Sequence, residues 1–215
     1  GKMDDISRGE GRTILFVSHV LSMIKSLCKN TIILEDGSIR KIGPSEEMIQ
    51  KYLSSKKQSS KIWEDGSAGD ENAELKSAKI LDSEGKDIKY VDLHRDTYVE
   101  YIYEVKKNGI KFYPNIHIFD QNGNYVCVTS DETLSGTHEK GLYSSRLKLP
   151  AKFLNTGIFT IGLALTSFPG TVVHFYESDA LTIEVKEDLG LRKNAYTGPI
   201  PGVIRPELEW ETRKQ

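Results

Sequence analysis

What this chain lacks narrows its chemistry before any motif is considered. Its 215 residues include two cysteines. Neither Cys28 nor Cys127 stands in a C-x-x-C or other metal-ligand spacing, so both read as small hydrophobes in a reducing compartment, with no disulfide and no metal site. No apolar run approaches the roughly 20 residues of a membrane-spanning helix, and the amino terminus carries no signal-peptide pattern, so a soluble, cytoplasmic chain is expected. Basic side chains number 29 against 31 acidic ones, a formal net charge of −2. Patches such as Ser55-Lys56-Lys57 are short, which gives no case for nucleic acid, whose affinity rests on Lys and Arg neutralising phosphates. There is no G-x-x-x-x-G-K-[ST] loop: Gly85-Lys86 has neither the upstream glycine nor the following hydroxyl residue, so a backbone cradle for nucleotide phosphates is missing. Asp and Glu are plentiful, yet alternation sets no convincing pair across a groove, which argues against a glycosidase.

What is present falls into two periodicities. Thr13-Ile14-Leu15-Phe16-Val17-Ser18-His19 is an apolar run that predicts a buried strand delivering His19 to its carboxyl end. In open α/β sheets ligands sit there, next to a helix start. Leu21, Ile24, Leu27 and Cys28 then recur at helical spacing. Thr31–Glu35 and Ser38–Ile42 flank Asp36-Gly37, a type I′ hairpin signal because both turn positions need positive φ. Gly43-Pro44-Ser45-Glu46-Glu47 opens a further helix through Met48, Ile49, Tyr52 and Leu53, with proline near its first turn and acids at the positive end of its dipole. Residues 54–72 are polar and are expected to form a linker, with Trp63 as its one apolar anchor, docked on the neighbouring domain.

From Ala73 onward the period is two. Runs at 75–81, 97–105, 115–120, 124–129, 143–149, 157–166, 172–176 and 180–185 predict a mainly β fold, an immunoglobulin-like antiparallel β-sandwich, with a tight hairpin at Gln121-Asn122-Gly123. Alternation puts Tyr101 and Tyr103 in the core and Tyr98 and Glu100 outside. In the hairpin it assigns Ile116, Ile118, Val126 and Val128 to the core, leaving Asn115, His117, Phe119, Tyr125, Cys127 and Thr129 outside. Thr160, Gly162, Ala164 and Thr166 point away from Phe159, Ile161, Leu163 and Leu165. A surface of rings, amides and hydroxyls suits a saccharide, which stacks its C–H faces on aromatics and pairs its hydroxyls with fixed polar groups. The candidate carbohydrate-binding residues are therefore Asn115, His117, Phe119, Tyr125, Thr129, Thr160 and Thr166.

Two resemblances converge with that reading. Gly11-Arg12-Thr13 to His19, Leu27-Cys28, Leu34-Glu35-Asp36-Gly37, Ile42-Gly43-Pro44 and Tyr52-Leu53 together resemble the end of an ABC-transporter ATPase domain of the polysaccharide-exporter branch. The resemblance implies that His19 is the switch histidine, which contacts the ATP γ-phosphate and couples it to the attacking water. Val20 departs from the Asn or Asp usual after that histidine. Walker A, the ABC signature and the Walker B strand are all missing. Hydrolysis, ATP and Mg²⁺ are therefore expected of an intact parent, residues 1–53 of a remnant, and Gly1 of a tag scar.

The sandwich, the linker and the run from Asn194 to Trp210, with Thr197-Gly198-Pro199-Ile200-Pro201-Gly202 at its centre, resemble the Wzt family of exporter ATPases. This implies a domain over 73–190 that binds an undecaprenyl-linked, O-antigen-like cell-surface polysaccharide by its non-reducing end, the polymer being a lipopolysaccharide O-chain or a teichoic-type chain according to the organism. It further implies a membrane-spanning exporter subunit as partner, a location at the inner face of the plasma membrane, a homodimer, and a tail over 191–215 whose Val203–Trp210 segment is exchanged between subunits. The alternative expectation is a dimerisation or regulatory module that binds no glycan.

Overall fold

The computed structural model describes residues 14–18, 21–35, 37–55, 57–133, 135–169, 171–192 and 196–214. The chain divides into two compact units, one ending at Tyr52 and the other beginning at Leu53. The first holds helix α1 (Leu21–Leu27) and the antiparallel strands β1 (Asn30–Glu35) and β2 (Ser38–Pro44); helix α2 (Ser45–Ser55) begins there. Gly37 takes the hairpin's left-handed position at φ 76°, where a Cβ would be strained. The α2 start is fastened locally: the Ser45 hydroxyl donates to the Cys28 carbonyl at 2.6 Å and lies 2.7 Å from Thr31 Oγ1. The run expected as a strand is irregular over 14–18. A strand of a parallel sheet requires hydrogen-bonded neighbours, and among the described residues no strand pairs with this one.

The second unit stacks two sheets. One has the order β5-β11-β10-β7-β8 and the other β3-β4-β6-β9, where β3 is Ser60–Ile62, β4 Ala73–Leu81, β5 Val91–Asp92, β6 Thr97–Val105, β7 Phe112–Phe119, β8 Tyr125–Ser130, β9 Gly141–Leu149, β10 Gly157–Ser167 and β11 Val172–Lys186. All pairs are antiparallel except β11 with β5. Strict alternation drives the layers together. Val99, Tyr101, Tyr103 and Val105 of β6 face Phe159, Ile161, Leu163 and Leu165 of β10 and Ile116 and Ile118 of β7 in one core. The ring pairs Tyr101–Phe175 and Tyr103–Tyr143 lie 6.5 and 5.8 Å apart inside it, adding edge and stacking terms to area burial. Tyr98 and Glu100 face outward as expected, but neighbours engage them: the Arg146 guanidinium lies 4.1 Å from the Tyr98 ring centre, and Lys79 pairs with Glu100 at 3.2 Å.

Two expectations need correction. The runs 172–176 and 180–185 are one strand, since both pair with β10 and the polar residues between them form a bulge rather than a turn. The polar stretch 54–72 contributes β3 and a bridge from Gln58 to Thr182. Trp63 is buried in the sandwich's own core, its indole N–H donating to Glu177 at 3.1 Å. Segment 57–62 thereby crosses from the β11 edge of one sheet to the β4 edge of the other. Among the described residues no strand crosses the opposite margin, between β8 and β9.

Candidate functional site

The two outer faces differ in chemistry. On the four-stranded sheet, charges answer one another: Lys79 with Glu100, Lys148 with Asp96, and Lys76 with both Glu74 and Glu104. The outer face of the five-stranded sheet carries rings and small side chains instead. Along β7 the alternation places Tyr113, Asn115, His117 and Phe119 there. Register sets Asn115 beside Ala164 and Ser130, His117 beside Gly162 and Val128, and Phe119 beside Thr160 and Tyr125. Tyr176 joins from β11 through its pairing with Ala164. Ring centroids are 4.5 Å apart for Phe119–Tyr125, 5.0 Å for His117–Tyr176 and 6.0 Å for His117–Tyr125.

At strand rise, Asn115 to Phe119 spans about 13 Å. Tyr125 and Tyr176 are 61% and 43% exposed, so the shelf is open. Asn115 is preset by its amide, which donates to Thr166 Oγ1 at 3.0 Å and to the Tyr113 carbonyl at 2.6 Å. Burial pushes the His117 pKa down, so its imidazole is neutral at pH 7, with Nδ1 buried and unpartnered. Burial and the hydrogen bond with Tyr125 push the Tyr176 phenol up to about 12. Such a surface offers uncharged hydroxyl, amide and imidazole groups beside stacking planes.

The floor of the shelf depends on Gly162. A Cβ there would lie 3.3 Å from His117 Cβ, Phe119 Cε2 and the Ser178 carbonyl oxygen. Two of those neighbours are tied to backbone and cannot swing away. Gly162→Val is therefore expected to cost about 1–3 kcal/mol by overpacking and to tilt the His117 ring. Thermal unfolding read together with the His117 imidazole NMR shifts checks both.

The expected site residues are brought together with one exception. Asn115, His117, Phe119, Tyr125, Thr160 and Thr166 share the shelf, whereas Thr129 pairs with Ile116 and faces between the sheets. A bulge at Val126 is the cause. It breaks register between Ile118 and Phe119, so Cys127 and Thr129 turn inward and Val128 outward, 53% exposed. An inserted residue flips every later side chain. Tyr176 was missed, although alternation from the buried Phe175 points it outward. His19 lies outside the described residues.

A second constellation resembles a nucleophilic triad and does other work. His174 Nε2 is 2.9 Å from Ser167 Oγ, and its Nδ1 is 2.8 Å from Asp70 Oδ2. Burial raises the Asp70 pKa, but the Asn72 and Ala73 amides and His174 outweigh it and hold the carboxyl below its ordinary range. His174 and Ser167 are 4% and 8% exposed, so the Ser167 hydroxyl is closed off from solvent. The three groups tie the 64–72 segment to the start of β11. Among the described residues no cluster of His, Cys, Asp and Glu has the makings of a metal site, and no helix is long and apolar enough to cross a membrane.

A two-sheet domain with one solvent-open, ring-bearing face belongs by its architecture to the class of β-sandwich modules. Comparison with known proteins makes the assignment specific. The family profile "Wzt C-terminal domain" matches residues 65–200, and the chain belongs to that family. The crystal structure of the C-terminal domain of Wzt superposes with a TM-score of 0.55 at 15% identity, covering 67% of this chain and 86% of that one; it shows the shared fold. The chain is 47% identical over 45 residues to the teichoic acids export ATP-binding protein TagH of Listeria monocytogenes, 21% of this chain and 13% of that protein. It is 36% identical over 48 residues to the methionine import ATP-binding protein MetN of Chlamydia abortus, 22% of this chain and 14% of that protein. The chain thus spans 13% of the length of the first of these relatives.

Proposed function

We propose that the second unit binds a saccharide of a cell-surface polymer on the outer face of the five-stranded sheet, as the recognition module of an ABC exporter. The carrying observation is the open shelf of His117, Phe119, Tyr125 and Tyr176 beside the hydrogen-bonded pair Asn115 and Thr166. Rings accept the C–H face of a pyranose, and the preset amide and hydroxyls accept and donate to its oxygens. The identity with the ATP-binding proteins of an export system and of an import system supports reading the first unit as the end of an ATPase domain. ATP, Mg²⁺ and His19 then act in an intact parent, since this sequence has no phosphate loop. A membrane-spanning subunit, a lipid-linked O-antigen-like polymer and a homodimer are parts of the same proposal, with the parent at the inner face of the membrane; the start of the tail expected to be exchanged, Val203 to Arg205, is here fastened to its own chain.

Shallow sugar sites bind weakly, and a dimer raises the effective affinity through two sites. Titration of the chain with oligosaccharides prepared from the surface polymer of the source cell is expected to perturb the amides of His117, Gly162 and Ala164. Tyr125→Ala, which removes an exposed ring without touching the core, is expected to weaken that binding about tenfold. Saturating polymer that leaves these amides unmoved, or a Tyr125→Ala variant that binds as tightly, refutes the reading.

A further inference from the structure

We propose that the wedge between the two sheets, at the unbridged β8/β9 margin, is a second saccharide pocket. It takes one neutral or amine-bearing pyranose residue at an end or branch of the chain and rejects phosphate-linked and uronic units. The inference rests on the outer-face reading and extends it to a separate site. The cleft has a volume of 630 Å³, within the roughly 300–1,000 Å³ typical of small-molecule sites. Its existence follows from topology: segment 57–62 closes the sandwich on the β11/β4 side, while among the described residues no strand crosses between β8 and β9.

The lining is amphipathic in the manner a sugar requires. Tyr101, Pro114, Ile116 and Leu147 give an apolar floor and walls, and Thr129 and Ser145 supply hydroxyls. Tyr101 is 1% exposed and sends its hydroxyl across the core to the Ala164 carbonyl at 3.3 Å, so only its ring faces the cleft. Because this floor is the packed core, a polymer cannot thread through. Only a terminal or branching residue enters.

Charge sets the class of that residue. Asp131 and Glu132 stand at the mouth. The Thr133 amide and hydroxyl both donate to Asp131 Oδ1, at 2.9 and 2.6 Å, which fixes the carboxylate and leaves Oδ2 for a ligand. Among the described lining residues the one cation, Arg146, is turned away: its guanidinium lies over Tyr98 on the outer face and reaches toward the Asp82 carbonyl. Two carboxylates without a facing cation repel phosphate and uronate, while accepting hydroxyls or an ammonium. The bulge at Val126 is what turns Thr129 into this space.

The test is an amide NMR titration of the 215-residue chain with three probes: methyl glucopyranoside, methyl glucosaminide and glucose 6-phosphate. Saturable shifts at Thr129, Ser145 and Leu147 are expected with the first two at millimolar concentration and not with the third. Thr129→Phe is expected to fill the cleft and abolish those shifts, while shifts at His117 and Gly162 persist. Asp131→Asn, which leaves cleft volume unchanged, is expected to reduce the preference for the amino sugar severalfold. Cleft amides that stay still while shelf amides respond, a phosphosugar that binds as well as the amino sugar, or cleft shifts that survive Thr129→Phe each overturn the second pocket and leave the outer-face reading intact. A cleft that responds while the shelf is silent supports the pocket alone. Silence at both overturns both.

Discussion

Glu187→Ala is expected to destabilise the sandwich unit by roughly 3–5 kcal/mol, the cost of stripping a buried ion pair of one partner. The Glu187 side chain is 2% exposed, one residue beyond β11, and accepts from Arg192 Nε at 2.9 Å and Nη2 at 2.6 Å. Arg205 pairs with the same carboxylate at 2.9 Å. Arg192 is itself 6% exposed and donates to the carbonyls of Tyr196 and Gly198. Alanine would leave two guanidinium groups facing one another with no anion between them. The loss should appear first in the tail. A second fastening, the Asn155 amide on the carbonyls of Ile200 and Gly202 at 2.7 and 2.8 Å, holds residues 200–202 independently of Glu187. Urea unfolding gives the total, and hydrogen exchange at the amides of Asn155 and Arg205, which donate to the Val203 and Phe153 carbonyls, gives the local part. Glu211→Ala, at an exposed tail carboxylate, serves as the control and should change stability by less than about 0.5 kcal/mol. A Glu187→Ala loss as small as that would remove the hub from the account of how the tail is held.

The layered fold was legible because its long strands alternate cleanly. β6 reads Thr-Tyr-Val-Glu-Tyr-Ile-Tyr-Glu-Val, and its buried and half-buried residues follow that period without a fault. The shelf was legible for the same reason: one strand, β7, carries Asn115, His117 and Phe119 at spacing two. What escaped was set by pairing rather than by pattern. β3 and β5 are three and two residues long, too short to show a period, and exist because a longer neighbour templates them. The break at Glu177-Ser178-Asp179 looks like a turn, but β10 continues past it and holds both halves in one strand. The Val126 bulge carries no signature of its own, since Val-Cys-Val-Thr alternates equally well in either register, so alternation alone assigns Thr129 to the wrong face. The cleft was out of reach for a further reason. Which margins of a sandwich lie unbridged depends on strand order, a property of contacts between residues far apart in the chain.

The unit's stability is expected to fall in two limbs as pH drops, and the second is the larger. Lys106 and the Gly66 amide, acting against burial, hold the Glu74 carboxyl down to about 2, and Arg192, again against burial, does the same for Glu187, with Arg205 adding to it. The ordinary value for both is 4.5. Depressed carboxylates bind fewer protons in the folded state than in the unfolded one. The stability they confer is complete above pH 4.5 and is lost as pH falls toward 2. A shift of that size is worth roughly 3 kcal/mol per group at the limit; the two side chains, 4% and 2% exposed, are little screened by salt. A shallower limb begins earlier. Burial keeps the His117 and His138 pKa values below 6.5, so the unfolded chain takes up protons first and stability declines as pH passes below that value. Urea unfolding at a series of pH values between 7 and 3 should therefore show a gentle slope followed by a steep one. Glu74→Gln and Glu187→Gln are each expected to lower stability at neutral pH and to flatten the steep limb while leaving the gentle one in place. A steep limb of unchanged slope in both variants would assign acid unfolding to other carboxylates, with Asp70 and Glu184, whose pKa values are also held low, as the next to replace.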